Sequence, residues 1–467
     1  MGGGMVDLFS LARTGPVHFV GISGAGMSAL AELVLRNGGR VTGCDLRPGK
    51  VAAALRELGA EIVEGHDPSH VEDAVAVVRT AAVPDTHPEI EAARRRGIPV
   101  LKRAEALGAF VNRGTVVAVA GTHGKTTTTA MTTAILAAAG LDPTGFVGGH
   151  VPGWVGGLRP GSDRLFVVEA DEYDRSFLTL RPKVAVVTTL EADHLDVYGS
   201  LAAVEEAFRA FLAPVPDDGL VTLCVDDAGA RRLLDAVPNA PTLGYGLSPD
   251  AALRAVEVRA EGWGTRFRVE ERGEPLGEFE LGVPGEHNVR NALAALAAAR
   301  HVGAGLDAAR RALADFRGVA RRFEQVGMAG DVVFVDDYAH HPTEIRATLA
   351  AARGAFPGRR LVVIFQPHLF TRTRDFADEF GDALAAADAV WVAGIYPARE
   401  APIEGVTGEL VAAAVRGAGR AEVRYVEDRA ALVDELTASL RPGDVCLTLG
   451  AGDVDEVGRM VMAGMER

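Results

Sequence analysis

Lysine is scarce in this sequence: Lys50, Lys102, Lys125 and Lys183 are its only four, and arginine supplies the rest of the 48 basic residues. Against 63 acidic residues they leave a formal charge of −15. That balance excludes the basic face on which non-specific binding to nucleic acid or an anionic membrane depends. Cysteine is rarer still. Cys44, Cys224 and Cys446 are odd in number and far apart, so they make no disulfide framework and show no metal-ligand spacing. They read as reduced thiols in a cytoplasm. No basic stretch leads into a long apolar run at the start, and Ala130–Leu141 is too short and too threonine-rich to span a bilayer. The expectation is a soluble cytoplasmic protein with no nucleic-acid partner and no membrane insertion, compatible with a monomer or a homodimer.

What is present is a hydrophobic fraction of 48% over 467 residues, enough for well-packed domains and too long for one ordinary core. Residues 17 to about 110 alternate β-type runs (Val17–Val20, Arg40–Cys44, Glu61–Val63, Ala74–Val78, Val100–Leu101) with helical runs (Met27–Asn37, Lys50–Leu58, Glu89–Arg96). Such alternation predicts a parallel α/β sheet. A second block starts at Thr115, continues through Leu165–Val168, Val184–Thr188 and Leu220–Cys224, passes a β-rich stretch from Leu253 to Leu281, and closes with a helix over Val289–Val302. A third, from about Ala320, carries strands at Val332–Val335, Leu361–Phe365, Ala389–Val392 and Val445–Leu449 and predicts another parallel sheet. The expected domains are 1–112, 113–319 and 320–467.

Gly121-Thr122-His123-Gly124-Lys125-Thr126-Thr127 follows the β-type run Val116–Ala120 and precedes the helix-like run Ala130–Leu141. Strand, glycine turn, lysine, hydroxyl and helix together make a triphosphate cradle. Backbone N–H groups and the helix N-terminus face phosphate oxygens, the lysine neutralises them, and Thr126 can hold Mg²⁺. The spacing is shorter than G-x-x-x-x-G-K-[ST], because Val119 occupies the place of the first glycine. One of only four lysines at the phosphate-binding position favours ATP as the ligand over a bare glycine turn.

A second glycine loop, Gly21-Ile22-Ser23-Gly24-Ala25-Gly26-Met27-Ser28, follows the first strand, and Asp45 ends the next. Its G-x-x-G-x-G spacing differs from the dinucleotide fingerprint G-x-G-x-x-G. The physics supports a diphosphate on this helix N-terminus with Asp45 near a ribose hydroxyl, and a nicotinamide nucleotide and a UDP-sugar both satisfy it. Carboxylates follow the next strands. Glu169 heads Glu169-Ala170-Asp171-Glu172-Tyr173-Asp174, where a carboxylate beside a phosphate loop holds Mg²⁺. Thr188–Asp196 ends another strand, and its His194 could ligate a second metal or contact a phosphate. Asn288 and Asn291 stand three apart at the start of a helix, a spacing that lets two amides reach one planar base.

These segments, with Arg321-Arg322-Phe323-Glu324, Asp336–Glu344 (DDYAHHPTE) and Phe365–Thr373 (FQPHLFTRT), resemble the Mur ligase family along essentially the whole chain. The resemblance implies three α/β domains: an N-terminal Rossmann-like UDP-binding domain, a central P-loop-type ATPase and a C-terminal Rossmann-like domain. It implies an ATP- and Mg²⁺-dependent amide ligation through an acyl phosphate. HFVGISGAGMS at 18–28 and the Gln366–Thr373 run look most like the branch that joins L-alanine to UDP-N-acetylmuramate. By the same resemblance Lys125 would stabilise the transferring phosphoryl group, Thr126 and Glu169 would bind the first Mg²⁺, and His194 would help bind a second. Asn288 and Asn291 would read adenine, and Arg322 and Asp336 would close on ATP. Gly121, Thr122, His123, Gly124 and Thr127 would complete the ATP loop. Gly21, Ser23, Gly24, Ala25, Gly26, Met27, Ser28, Asp45 and Thr80 would line the sugar-nucleotide site. Tyr338, His341 and His368 stand past strand ends on the substrate side, and Arg372 is a bidentate clamp for the amino-acid carboxylate.

Some positions depart from the family pattern. No lysine lies between His194 and Pro214, so no carbamyl-lysine is expected, in keeping with the alanine-adding branch. Leu369 stands where that branch often has arginine, and Arg79-Thr80-Ala81-Ala82 replaces a serine pair, leaving Thr80 as the local hydroxyl. The rival readings are a nicotinamide-dependent dehydrogenase, which leaves the triphosphate loop unused, and a non-catalytic ATP-binding regulator. Within the family, tripeptide, glycine or serine could replace L-alanine.

Overall fold

The computed structural model describes residues 8–80, 82–154, 156–193, 195–236, 240–398, 400–419 and 421–465. The chain packs into two compact units. One is Met1–Val256 with Arg268–Phe279 and Arg290–Phe316; the other is Glu257–Phe267 with Glu280–Val289 and Arg317–Arg467.

In the first unit, β1 (Pro16–Val20), β2 (Arg40–Asp45), β3 (Glu61–Glu64), β4 (Ala76–Arg79) and β5 (Val100–Lys102) form a parallel sheet in the order β3-β2-β1-β4-β5. The winding reverses between β1 and β4. In open α/β sheets ligands bind in the crevice that such a reversal opens beyond the strand C-termini. The glycine loop leaves β1 at that point, and Thr80 follows β4. β1 is buried along its whole length, as expected of a strand covered on both faces.

A second sheet contains β6 (Thr115–Ala120), β7 (Thr144–Phe146), β8 (Leu158–Arg159), β9 (Leu165–Glu169), β10 (Val184–Val187), β11 (Leu220–Cys224) and β12 (Thr242–Gly246), in the order β8-β7-β9-β6-β10-β11-β12. β13 (Leu253–Glu261), β14 (Gly264–Glu271) and β15 (Glu274–Leu281) continue this order, and their residues are divided between the units. The valine- and alanine-rich β6 lies between β9 and β10, so the loop after it emerges flanked by Glu169 and Thr188.

The helix after β6 runs Lys125–Ala138, five residues earlier than the apolar pattern places it. Threonine hid the start. β-Branched residues lower helix propensity, but here Thr129, Thr132 and Thr133 donate their hydroxyls to the carbonyls of Lys125, Thr128 and Thr129 at 2.8, 2.7 and 2.8 Å. Burial of Thr126–Thr133 against the sheet decides the conformation.

The second unit holds β16 (Glu324–Ala329), β17 (Val332–Asp337), β18 (Leu361–Phe365), β19 (Ala389–Val392), β20 (Glu422–Tyr425) and β21 (Val445–Leu449), in the order β16-β17-β21-β18-β19-β20. Five strands are parallel, but β16 pairs antiparallel with β17. The expected wholly parallel sheet is corrected at this edge, where a short reversal suffices and no crossover is needed.

β17 ends in a buried carboxylate. Asp337 accepts the N–H groups of Phe323 and Ala339, both at 2.8 Å. Burial pushes its pKa up to about 7 from the ordinary 3.8, with Arg322 opposing and Glu344 reinforcing the shift. A group raised on folding adds stability that is complete below its unfolded pKa and vanishes as pH rises through its folded one. Raising the pH from 5 to 8 is therefore expected to lower the folding stability through this group by an amount on the order of a few kcal/mol, and the melting temperature with it. Asp337→Asn should flatten that part of the curve, and thermal unfolding of both proteins across this range checks it.

Candidate active site

The phosphate loop is shaped before any ligand arrives. Gly121 and Gly124 hold φ of 136° and 83°, conformations that exclude most side chains. Space excludes them as well. A Cβ on Gly121 would lie 2.1 Å from Thr188 Oγ1, and one on Gly124 2.6 Å from Asn291 Oδ1. Thr122 N–H donates to the Thr189 carbonyl and His123 N–H to Thr189 Oγ1, both at 2.9 Å. Thr188 Oγ1 donates in turn to the His123 carbonyl. The amides of Thr122 and His123, expected to face phosphate, instead fix the loop to the end of β10. The amides that remain for an anion are those of the first helical turn, where Thr126 and Thr127 lie.

Lys125 opens that turn. Its Nζ donates to the carbonyls of Gly121 and Thr122 at 2.6 and 3.2 Å and pairs with Glu172 at 2.9 Å. Burial works against its charge, but the Glu172, Asp171 and Glu169 carboxylates outweigh it and raise its pKa. The ammonium stays charged. Glu172 belongs to the acidic run after β9, but the sequence offers no sign that it, and not a neighbour, is the lysine's partner.

Thr126 Oγ1 donates to Glu169 Oε1 at 3.0 Å, and Gly148 N–H holds the other oxygen at 2.6 Å. Two hard oxygens at this separation suit Mg²⁺, around which adjacent ligands at 2.0–2.1 Å stand about 2.9 Å apart. The residues therefore fit the ion that the resemblance implies. His194, expected at a second ion, lies outside the described residues.

The two asparagines divide their tasks. Asn291 reaches Gly124, whereas Asn288 donates its side-chain N–H to the Pro284 carbonyl at 2.8 Å. Arg290 pairs with Asp226 at 2.7 Å.

At the N-terminal loop, Gly21 takes φ 77° and a Cβ there would meet Thr80 Cγ2 at 3.4 Å, so Thr80 does adjoin the loop. Gly24 caps the helix Ala25–Arg36, and Ser28 Oγ donates to the Ala25 carbonyl at 3.0 Å. Asp45 accepts Ser23 N–H and Arg47 N–H, both at 3.0 Å. Its carboxylate is thus part of the loop's frame, with its role toward a ribose left to the ligand-bound state. Ser23 Oγ is buried without a partner among the described residues. Met27, expected on the ligand side, is buried in the core because its place on the first turn faces the sheet. Sequence reading missed Arg103, which lies 3.0 Å from a Cβ on Gly26 and 3.7 Å from Asp171.

In the second unit, Asp337 ends β17, and His368 and Gly450 follow β18 and β21 beside it, so the predicted convergence at one edge is present. Asp336 has no exposed surface; it bonds Arg321 Nε at 3.0 Å and accepts from Thr448 Oγ1 at 2.5 Å. Arg322, expected with Asp336 to close on ATP, faces Glu344 at 3.5 Å. Arg321 also donates to the Gly452 and Gly450 carbonyls at 2.9 and 2.8 Å, and both guanidinium groups lie over Tyr338. Arg321 and the Gly450–Gly452 loop were missed, although two adjacent arginines before a strand were a usable signal.

His341 caps the helix Pro342–Ala355 and is nearly buried. His368 stacks on Tyr396 with ring centres 5.7 Å apart. Arg372 lies half-buried on the short helix Phe370–Asp375, whose N-cap, Leu369, has φ 70°. A branched side chain in that region marks stored backbone strain.

Three family models match the chain in succession: the Mur ligase family catalytic domain over 16–115, the Mur ligase middle domain over 119–299, and the Mur ligase glutamate ligase domain over 321–452. The UDP-N-acetylmuramate–L-alanine ligase of Oleidesulfovibrio alaskensis is 46% identical, over 96% of this chain and 98% of that protein. Its counterpart from Salinibacter ruber is 47% identical, over 95% and 94%. Among solved structures, the UDP-N-acetylmuramate-alanine ligase MurC of Thermotoga maritima is 32% identical with a TM-score of 0.79, over 96% of this chain and 99% of that one. A murein peptide ligase from Psychrobacter arcticus is 25% identical with a TM-score of 0.69, over 97% and 99%. By likeness over nearly its entire length, the chain belongs to the Mur ligase family.

Proposed function

We propose that this chain joins L-alanine to the carboxylate of UDP-N-acetylmuramate in an ATP-driven reaction of peptidoglycan precursor synthesis. The observation that carries the reading is a near-full-length likeness to ligases of that name, together with the Lys125–Thr126–Glu169 constellation after β6 and β9. The muramyl carboxylate attacks the γ-phosphorus of ATP, and the bond to the β–γ bridging oxygen breaks as ADP leaves. The neutral amine of L-alanine then attacks the acyl phosphate, phosphate leaves, and the amide forms with loss of a proton to solvent. Activation is needed because oxide is a poor leaving group and phosphate is not.

Lys125 acts electrostatically. Released from Glu172, its ammonium faces the transferring phosphoryl group, whose charge grows in the transition state. Thr126 and Glu169 would hold Mg²⁺, with His194 at a second ion, and the ion would neutralise phosphate charge. The first-turn amides receive the phosphates, and Asn291 holds the loop in register. Gly21–Ser28, with Thr80 and the buried Ser23 hydroxyl, takes the UDP-sugar, and Arg372 takes the amino-acid carboxylate. Asn288, Arg322, Asp336, Tyr338, His341 and His368 remain candidates for contacts with the nucleotide and the amino acid. Domain limits at 112 and 319 accord with this division of tasks. Among the described residues no helix is long and apolar enough to cross a membrane, and a cytoplasmic location suits the proposed substrates.

Phosphate release with ATP, Mg²⁺ and UDP-N-acetylmuramate should depend on the acceptor and be fastest with L-alanine over glycine, L-serine or a tripeptide. Release only with the tripeptide would overturn the substrate assignment. Lys125→Ala is expected to lower kcat by roughly a hundredfold or more. Glu169→Gln should raise the Mg²⁺ concentration needed for half-maximal rate.

Glu172→Gln separates folding from catalysis. Removing one member of a buried ion pair costs about 3–5 kcal/mol, since the other charge is left uncompensated. The ligand-free variant should therefore melt earlier than the parent. ATP supplies the missing anion, so it should raise the variant's melting temperature by more than the parent's; equal shifts would show that Lys125 does not reach the phosphates.

A further inference from the structure

Outside the nucleotide loops, the β1–β5 fold gathers His18, His66, His70 and His87, four of the chain's 12 histidines, around Cys44 and Glu89. The groups come from separate segments. His18 lies in β1, Cys44 near the end of β2, His66 and His70 after β3, and His87 and Glu89 at the start of the helix Pro88–Arg95. No short spacing motif joins them, which is why the sequence shows no metal signature.

Glu89 has no exposed surface. Its Oε2 lies 3.1 Å from Cys44 Sγ, 3.4 Å from His66 Nδ1 and 3.8 Å from His87 Nδ1, and Cys44 Sγ lies 3.2 Å from His66 Nδ1. A tetrahedral zinc site with bonds of 2.0–2.3 Å places neighbouring ligand atoms about 3.3–3.8 Å apart. Two of the four separations, 3.4 and 3.8 Å, fall within that spacing, and the two to the Cys44 sulfur, 3.1 and 3.2 Å, lie just short of it. The other carboxylate oxygen, Oε1, is held by His70 Nδ1 at 2.7 Å and by Asp67 N–H at 3.1 Å. Outer partners of this kind fix the direction in which a ligating carboxylate points.

Hydrogen bonding within the cluster leaves it incomplete. The Cys44 thiol donates to Glu89, but His87 Nδ1 and His18 Nε2 are buried and have no hydrogen-bond partner among the described residues. Native interiors rarely strand such atoms without a missing ion or water.

We propose that Cys44, His66, His87 and Glu89 form a binding site for one zinc-like divalent cation, with His70 and Asp67 orienting Glu89 and His18 packed beside it. The thiol proton passes to solvent on binding, so thiolate and carboxylate together balance the double positive charge in the interior. A thiolate with two imidazoles selects zinc or cobalt over magnesium. The cation ties the end of β2 to the connection after β3 and to the helix Pro88–Arg95. That position bears on the nucleotide loop, because the Cys44 carbonyl accepts the N–H groups of Gly21 and Ile22 at 2.9 and 3.1 Å. Its role is a clamp beneath the loop.

The test is Co²⁺ titration of chelator-treated, full-length protein in the absence of ATP. One Co²⁺ per chain is expected, with a thiolate-to-cobalt charge-transfer band and the intense visible bands of a tetrahedral centre, both bleached by one equivalent of Zn²⁺ and unmoved by excess Mg²⁺. Cys44→Ser should abolish the charge-transfer band, and Cys224→Ser should leave it intact. His87→Gln, at a helix cap where folding is less at stake, should weaken Zn²⁺ binding roughly tenfold or more in competition with a chelating dye. Absence of the band in the parent protein at micromolar Co²⁺ would overturn the proposal. So would a band that survives in Cys44→Ser, or unchanged affinity in a folded His87→Gln.

Discussion

A lysine ammonium enclosed at the first turn of a helix sets the terms for the central fold. The helix N-terminus already carries partial positive charge, so Lys125 needs an anion within its own enclosure, and Glu172 supplies it at 2.9 Å. Glu172 stands three residues after β9 and leads into a tight turn in which Asp174 and Arg175 hold φ of 52° and 55°. Residues forced into that region cost on the order of 1–3 kcal/mol each. The turn is secured from several sides. Tyr198 donates to the Glu172 carbonyl at 2.6 Å, Lys102 pairs with Asp174 at 2.7 Å, and Arg103 lies 3.7 Å from Asp171. Arg103 also crosses the first turn beside Gly26. One short acidic segment therefore touches the phosphate lysine on one side and the residue covering the other nucleotide loop on the other.

Most of this fold was legible because buried parallel strands announce themselves as short apolar runs. Leu220–Cys224, Leu361–Phe365, Ala389–Val392 and Val445–Leu449 were read with the bounds they have. The elements that escaped lack that signal. β20 reads Glu-Val-Arg-Tyr with alternating exposure, β7 is three residues long, and the Lys125–Ala138 helix begins in a run of threonines. In each case neighbours, not local composition, decide the conformation.

The site divides along a similar line. Residue types fixed by chemistry, such as Lys125, Thr126 and Glu169, could be placed from motif and position alone, and the structure brings them together. Pairings could not. Nothing in Arg321-Arg322 says which guanidinium meets Asp336, and it is the positive φ of Arg321, 59°, that accompanies the choice. Asp45 shows the same limit, because a carboxylate at a strand end suits a ribose or a loop amide equally well until the loop is folded beside it.

The three glycine loops share a further property: each is held by polar groups outside it. Asp45 at the end of β2 holds Ser23, Thr189 beyond β10 holds Thr122 and His123, and Arg321 holds the carbonyls of Gly450 and Gly452. A glycine-rich segment left to itself would lose more conformational entropy on meeting a ligand than any other kind of chain. Side chains from adjoining segments remove that freedom during folding, so the cost falls on folding and not on binding. Glycine is thereby used for space at the loop, and rigidity is borrowed from polar groups one strand away. Substitutions at those supporting groups would weaken binding without removing a single contact to the ligand.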